Sequence, residues 1–70
     1  MQKRGFAVII ERDEEGYFVA NVPELPGCHT QAKSFDALMN RVKEAIDLWL
    51  DGKNKKAPKM QFVGIQRIAV

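Results

Sequence analysis

The sequence predicts an α+β fold, with one helix packed on a four-stranded mixed sheet and the elements in the order β-β-β-α-β. Three observations predict it: runs rich in β-branched residues near both ends, a proline-rich connector, and one amphipathic helical pattern in the middle. One amphipathic helix needs one apolar sheet face to cover. A strand that follows a helix usually joins the sheet in parallel through a right-handed crossover, so we expect the sheet order 3-2-1-4.

The first two strands are predicted to form an antiparallel hairpin. Residues Phe6–Arg12 and Tyr17–Val22 are rich in β-branched and aromatic side chains, which is typical of strands. Between them, Asp13–Gly16 reads as a turn in which Gly16 is free to take a positive φ.

The stretch PELPGC, residues 23–28, is predicted to be a rigid connector. Pro23 ends the second strand because proline has no N–H for a sheet ladder. Pro26 and Gly27 suit the two central positions of a type II turn. Cys28 then opens a third strand, Cys28–Ala32, and is expected to pack under the helix as a small hydrophobe.

The helix is predicted over Phe35–Asp51, with Ser34 as its N-cap and Gly52 as its C-cap. Its apolar residues recur at helical spacing, so Trp49 should be buried between helix and sheet. The predicted apolar face consists of Phe35, Leu38, Met39, Val42, Ile46, Trp49 and Leu50.

Two further segments complete the chain. Lys53–Lys59 reads as a polar loop, and Met60–Ile68 reads as the fourth strand. The loop carries four lysines and could touch phosphate, but a solvated loop is the simpler interpretation because it has no interleaved aromatic residue.

The length and composition of the chain indicate a single small domain, residues 1–70. A chain of 70 residues is marginal alone, so a homo-oligomer is expected. No apolar run approaches the ~20 residues of a membrane span, and no signal peptide is indicated. One cysteine cannot form an internal disulfide, and together these features favour the cytoplasm.

The acidic residues suggest a docking surface for a basic partner. The formal net charge is only +2, but the hairpin region is acidic and the Lys53–Lys59 loop is basic, so the two ends should carry opposite fields. An acidic hairpin tip that serves only solubility is the plainer alternative. The candidate partner-binding residues are Glu11, Asp13, Glu14, Glu15, Glu24 and His29.

No catalytic, metal or cofactor site is predicted, and the chain is not expected to be an enzyme. Cys28 and His29 are adjacent, and adjacent strand residues point to opposite faces, so they cannot easily close on one ion or form a catalytic pair. No further Cys or His completes a zinc set. The acids are too scattered for a two-metal nuclease, which makes a residual nuclease the weakest hypothesis.

The run GYFVANVPELPGCHTQAKSFDALMNRVKEAIDLWL, residues 16–50, resembles the HicB-like antitoxin family. That family has a hairpin, a P-x-L-P-G-C connector, and a helix that begins at Ser or Thr and ends in E-A-I-x-x-W/Y/L. The resemblance implies a partial RNase H-like fold without nuclease function. It also implies that the motif residues are structural: Pro23, Pro26, Gly27, Cys28, Ser34 and Trp49.

The same resemblance implies a function. Members of the family typically bind and silence HicA, a small basic toxin that cleaves mRNA with a histidine. Many also carry a C-terminal DNA-binding domain, whereas this sequence stops at Val70, so no direct DNA binding is expected from it. The alternative is an orphan, self-assembling HicB-like domain that acts as a small-ligand or RNA-binding module.

Overall fold

A computed structural model describes residues 5–53 and 60–70 of the chain. Three strands are followed by one helix, whose last turn widens into a π-helical turn. The elements are β1 (Ile9–Arg12), β2 (Phe18–Asn21), β3 (His29–Ala32), α1 (Phe35–Leu48) and the π-helical turn Trp49–Lys53.

The three strands form one antiparallel sheet in the order β1-β2-β3, as predicted for this part of the chain. The β1–β2 loop is a type I turn followed by a glycine with positive φ, a common three-residue hairpin. The N–H of Asp13 donates to the carbonyl of Tyr17 at 2.9 Å, and the N–H of Gly16 donates to the carbonyl of Asp13 at 3.0 Å. Gly16 has a φ of 90°.

β1 begins later than predicted, at Ile9 rather than at Phe6, because Pro23 follows shortly after the end of β2. Ile9 pairs with Asn21, so the same register would place Ala7 opposite Pro23. Pro23 has no N–H to contribute, and the ladder stops there. The N–H of Ala7 donates instead to a carboxylate oxygen of Glu24, at 3.2 Å.

The connector contains the predicted Pro26-Gly27 turn and, before it, a second turn that was not predicted. The N–H of Leu25 donates to the carbonyl of Val22 at 3.0 Å, and the N–H of Cys28 donates to the carbonyl of Leu25 at 2.9 Å. Gly27 has a φ of 84°, which is the value required at the third position of a type II turn. The predicted Pro26-Gly27 turn is therefore confirmed.

The start of α1 follows the prediction, whereas its end does not. Ser34 is extended, and its hydroxyl oxygen accepts the N–H of Ala37 at 3.1 Å, which is the expected N-cap hydrogen bond. Asp36 lies in the first turn, where the helix dipole favours a negative charge. α1 itself ends at Leu48 and not at the predicted Asp51, and its C-cap is Trp49 and not the predicted Gly52. The π-helical turn that follows contains Gly52, whose φ of 104° ends the helical path.

The core lies between α1 and one face of the sheet. Alternate strand residues, including Ala20 and Ala32, point towards α1. We call the face of the sheet that carries them the helix side, and the opposite face of the sheet the outer face. α1 packs over β3 and β2 and leaves β1 uncovered. The buried apolar residues are Ala20, Val22, Leu25, Cys28, Ala32, Leu38, Val42 and Trp49, the last being only 8% exposed.

The predicted fourth strand is wrong, and with it the four-stranded mixed sheet of order 3-2-1-4 and the partial RNase H-like arrangement. In the described part of the chain the sheet has three strands, and residues 60–70 join none of them. The β-branched composition of Met60–Ile68 predicted an extended backbone, but composition does not supply a neighbouring strand to pair with. The predicted loop Lys53–Lys59 lies outside the described residues except for the backbone of Lys53.

Candidate partner-binding surface

The predicted acidic residues divide between two places in the fold. Glu11, Asp13, Glu14 and Glu15 lie together where β1 meets the hairpin loop, and all four are exposed. We call this group the acidic tip. Glu24 and His29 lie towards the other end of the sheet: at 3.3 Å per residue, His29 is in register with Ile9, about 7 Å along the strands from Glu11, and Glu24 lies beside Ala7, about 13 Å from Glu11.

Within the acidic tip, Asp13 has a structural role. One oxygen of its carboxylate accepts the backbone N–H of Glu15 at 3.0 Å and that of Tyr17 at 2.9 Å. Such a side chain mimics a turn of the backbone and fixes the loop that follows. Asp13 therefore positions the exposed carboxylates of Glu14 and Glu15.

Glu24 is also bound within the fold. Its carboxylate accepts the N–H of Ala7, and its backbone carbonyl accepts the N–H of Met60 at 3.4 Å. It is half-buried in the connector. Glu24 thus joins the residues before β1 to the start of the C-terminal segment, and its carboxylate is engaged inside the fold.

His29 begins β3, at the edge of the sheet opposite β1. It is exposed and pairs with Asn21, which in turn pairs with Ile9, so its side chain lies on the outer face. Glu11 shares this face through its pairing with Val19. The side chains of His29 and Glu11 therefore point to the same side of the sheet, from its two opposite edge strands.

Two basic residues flank the acidic tip on opposite faces. The guanidinium of Arg12 lies 5.2 Å from the ring centroid of Phe18 on the helix side, as strand alternation predicts. The ammonium of Lys33 lies 5.7 Å from the ring centroid of Tyr17. Sequence reasoning missed Lys33, although its position one residue beyond the Phe18–Ala32 pair could have placed it beside Tyr17.

The outer face carries further side chains that were not predicted as candidates. Its register positions alternate along each strand, so they follow once the strand pairing is known. They are mixed in character, and the additional residues are Ile9, Val19, Asn21 and Gln31.

The lone cysteine is a core residue. Cys28 is 4% exposed, and this burial raises the pKa of its thiol above the ordinary value of 9.0. A buried, protonated thiol is a poor nucleophile. Within residues 5–53 and 60–70, no three His, Cys, Asp or Glu side chains gather closely enough to hold a metal ion.

α1 is the longest helix in the described residues, and none of the helices there has the length and apolar character to cross a bilayer. Together, the three-stranded sheet, its single covering helix and the exposed acidic tip define a small α+β protein with acidic side chains at one end of its sheet.

Comparison with known proteins gives the family. A model of the HicB-like antitoxin of bacterial toxin–antitoxin systems matches residues 6–67, and the chain belongs to this family. A UPF0150 protein of Archaeoglobus fulgidus is 58% identical over 65 residues, 93% of each chain. A UPF0150 protein of Synechocystis is 39% identical over the full length of both chains. Another, from Thermoplasma acidophilum, is 40% identical over 93% of this chain and 94% of its own.

Proposed function

We propose that this protein is a non-catalytic antitoxin that binds and neutralises a small, basic, HicA-like toxin that cleaves mRNA. Membership of the antitoxin family supports the general role. The toxin and its mRNA substrate meet in the cytoplasm, which is where the proposed antitoxin acts. Self-association of the antitoxin is part of the proposal.

The observation that carries the proposal is the exposed acidic tip. A toxin that grips RNA must be basic where it contacts phosphate. Carboxylates presented at that place occupy the same site as the substrate, and the opposite charges accelerate encounter at low salt. Glu11, Glu14 and Glu15 are the exposed carboxylates that meet this requirement, while Asp13 holds the loop in shape.

Of the two predicted binding residues outside the acidic tip, one is removed from the proposed interface and one is kept. Glu24 has its carboxylate occupied by Ala7 and is assigned to the fold. His29 stays a candidate contact, because it is exposed and shares the outer face with Glu11. The proposed interface therefore runs from the acidic tip onto the outer face.

Charge reversal at the tip tests this function. The double variant Glu14→Lys/Glu15→Lys changes exposed side chains and spares Asp13, so it should fold normally. We expect its association with a purified HicA-like toxin to slow by about 10–100-fold at low salt. The matched control is Glu44→Lys/Asp47→Lys, which makes the same charge change on the exposed side of α1.

The two variants separate the alternatives. If only the tip variant associates slowly and fails to block RNA cleavage, the tip is the contact surface. If both variants bind at the wild-type rate, the acids serve solubility and the proposed interface is wrong. If the HicA-like toxin does not bind at all but RNA does, the orphan RNA-binding module is the better description.

A further inference from the structure

The C-terminal segment, residues 60–70, exposes apolar side chains that a stable protein normally covers. Val63 is 93% exposed, and Ile65 and Ile68 are each 75% exposed. Only Phe62 is half-buried. The segment has a single charged residue, Arg67, which distinguishes it from an ordinary solvated tail. Such a stretch is a binding element or an aggregation hazard.

The outer edge of β1 has unpaired backbone groups and an exposed apolar side chain, so it can accept an apolar strand. The N–H of Asp13 donates to the carbonyl of Tyr17, so the backbone groups of Asp13 point towards β2. Because these groups alternate in direction along an antiparallel strand, the N–H and carbonyl groups of Ile10 and Arg12 point away from β2. No strand lies beyond β1 among the described residues. The Ile10 side chain is on the helix side yet 39% exposed, because α1 covers only β2 and β3.

The segment begins beside β1 of its own chain. Met60 is tied to the backbone carbonyl of Glu24, and the carboxylate of Glu24 is tied to Ala7, two residues before β1. The residues that follow Met60 nevertheless leave their apolar side chains in solvent. Each chain therefore holds an unpaired edge and an uncovered apolar segment that starts close to it.

We infer that two copies of this chain exchange their C-terminal segments, each segment adding as a strand to the free β1 edge of the other copy. Within one chain the sheet keeps its three strands, and the contact is between chains. The inference deepens the self-association in the proposed function. Strand addition satisfies the outward backbone groups of Ile10 and Arg12 and covers Ile10 with apolar side chains. A basic toxin is a poorer match, since the segment is apolar and itself carries Arg67.

A complementation experiment tests the exchange. The acceptor variant Ile10→Lys places a charge on the edge and blocks strand addition. The donor variant Val63→Asp/Ile65→Asp makes the segment unable to dock. We expect each variant alone to be monomeric by light scattering, with its dimer dissociation constant raised by about a hundredfold or more. Mixed together, they should form a heterodimer, because the intact segment of the first fits the intact edge of the second.

The controls make the result decisive. Gln31→Lys puts the same charge on the other exposed edge strand, β3, and should leave the dimer intact. Circular dichroism melting confirms that each variant is folded, and Ile10→Asp replaces Ile10→Lys if the lysine variant unfolds. A mixture that stays monomeric would contradict the exchange, as would a wild-type protein that is monomeric at high concentration. Toxin neutralisation by the tip variant is measured separately, so either proposal can fail alone.

Discussion

The indole N–H of Trp49 donates a 2.9 Å hydrogen bond to the backbone carbonyl oxygen of Pro26. Trp49 comes from the end of the helical path, and Pro26 from the centre of the connector. One side chain thus fills the core and fastens the end of the helix to the turn that leads into β3. This link explains why a tryptophan in the helix and a proline-glycine turn belong to the same structural motif.

Truncation of this side chain should be severe. Trp49→Ala is expected to lower the free energy of unfolding by about 3–5 kcal/mol, as for large aromatic core residues. Trp49→Phe keeps most of the apolar volume but leaves the Pro26 carbonyl without its donor, which should cost about 1–3 kcal/mol. Urea denaturation measures both. Leu48→Ala, at a neighbouring position that is 57% exposed, is the control and should change little.

Substitutions of Gly27 should destabilise the fold according to how poorly the new residue adopts a positive φ. A Cβ at this position would meet no atom within 4 Å, so the cost of substitution comes from the φ of 84° and not from a collision. We expect Gly27→Ala to cost about 1–2 kcal/mol, Gly27→Asn less and Gly27→Val more. Gly64→Ala is the matched control, since Gly64 also has open space but no positive φ. Equal melting temperatures for the Gly27 and Gly64 variants would refute the turn argument.

Glu24 should matter for stability and not for toxin association. Glu24→Ala removes the acceptor of the Ala7 N–H and is expected to cost about 1–3 kcal/mol. Glu24→Gln retains an acceptor oxygen and should recover much of that loss. Association rates of the folded variants with the toxin, measured by stopped flow, should match the wild type. If Glu24→Gln associates slowly with the toxin while its stability is unchanged, Glu24 contacts the toxin and this prediction is wrong.

The buried thiol predicts an alkaline loss of stability. Burial raises the pKa of Cys28 in the folded state, so the folded protein holds this proton more tightly than the unfolded chain. The contribution is fully present below the thiol's ordinary pKa of 9.0 and is lost as the pH rises through the higher folded value. Because other groups titrate there too, the measurement is the difference in unfolding free energy between wild type and Cys28→Ala from pH 7 to 10.5. Above about pH 9 the wild type should lose unfolding free energy relative to Cys28→Ala. If the two proteins show the same dependence of unfolding free energy on pH, the effect is excluded.

The local parts of the fold could be predicted because their signals are local. The Ser34 cap, the Pro26-Gly27 turn and the Gly16 hairpin each depend on residues a few positions apart, and all three were found as expected. The fourth strand failed because pairing is a tertiary property. The β-branched residues of the C-terminal segment predict an extended chain equally well whether it pairs within the chain or between chains.

The candidate surface was predictable in part for a similar reason. Charge and turn chemistry place Glu14 and Glu15 at an exposed hairpin tip. The role of Glu24 was hidden, because it depends on the register that brings Ala7 opposite Pro23 and frees an N–H for the carboxylate. The structural role of Asp13 is a local turn motif that the sequence could have indicated.

The central claim is neutralisation of an mRNA-cleaving toxin, and a titration tests it most directly. A fixed amount of a HicA-like toxin is incubated with mRNA and increasing amounts of this protein, and the intact RNA is quantified. We predict that cleavage falls in proportion to added antitoxin and stops near a stoichiometric ratio, while this protein alone leaves the RNA intact. Undiminished cleavage in the presence of excess protein, or cleavage by this protein alone, would contradict the account.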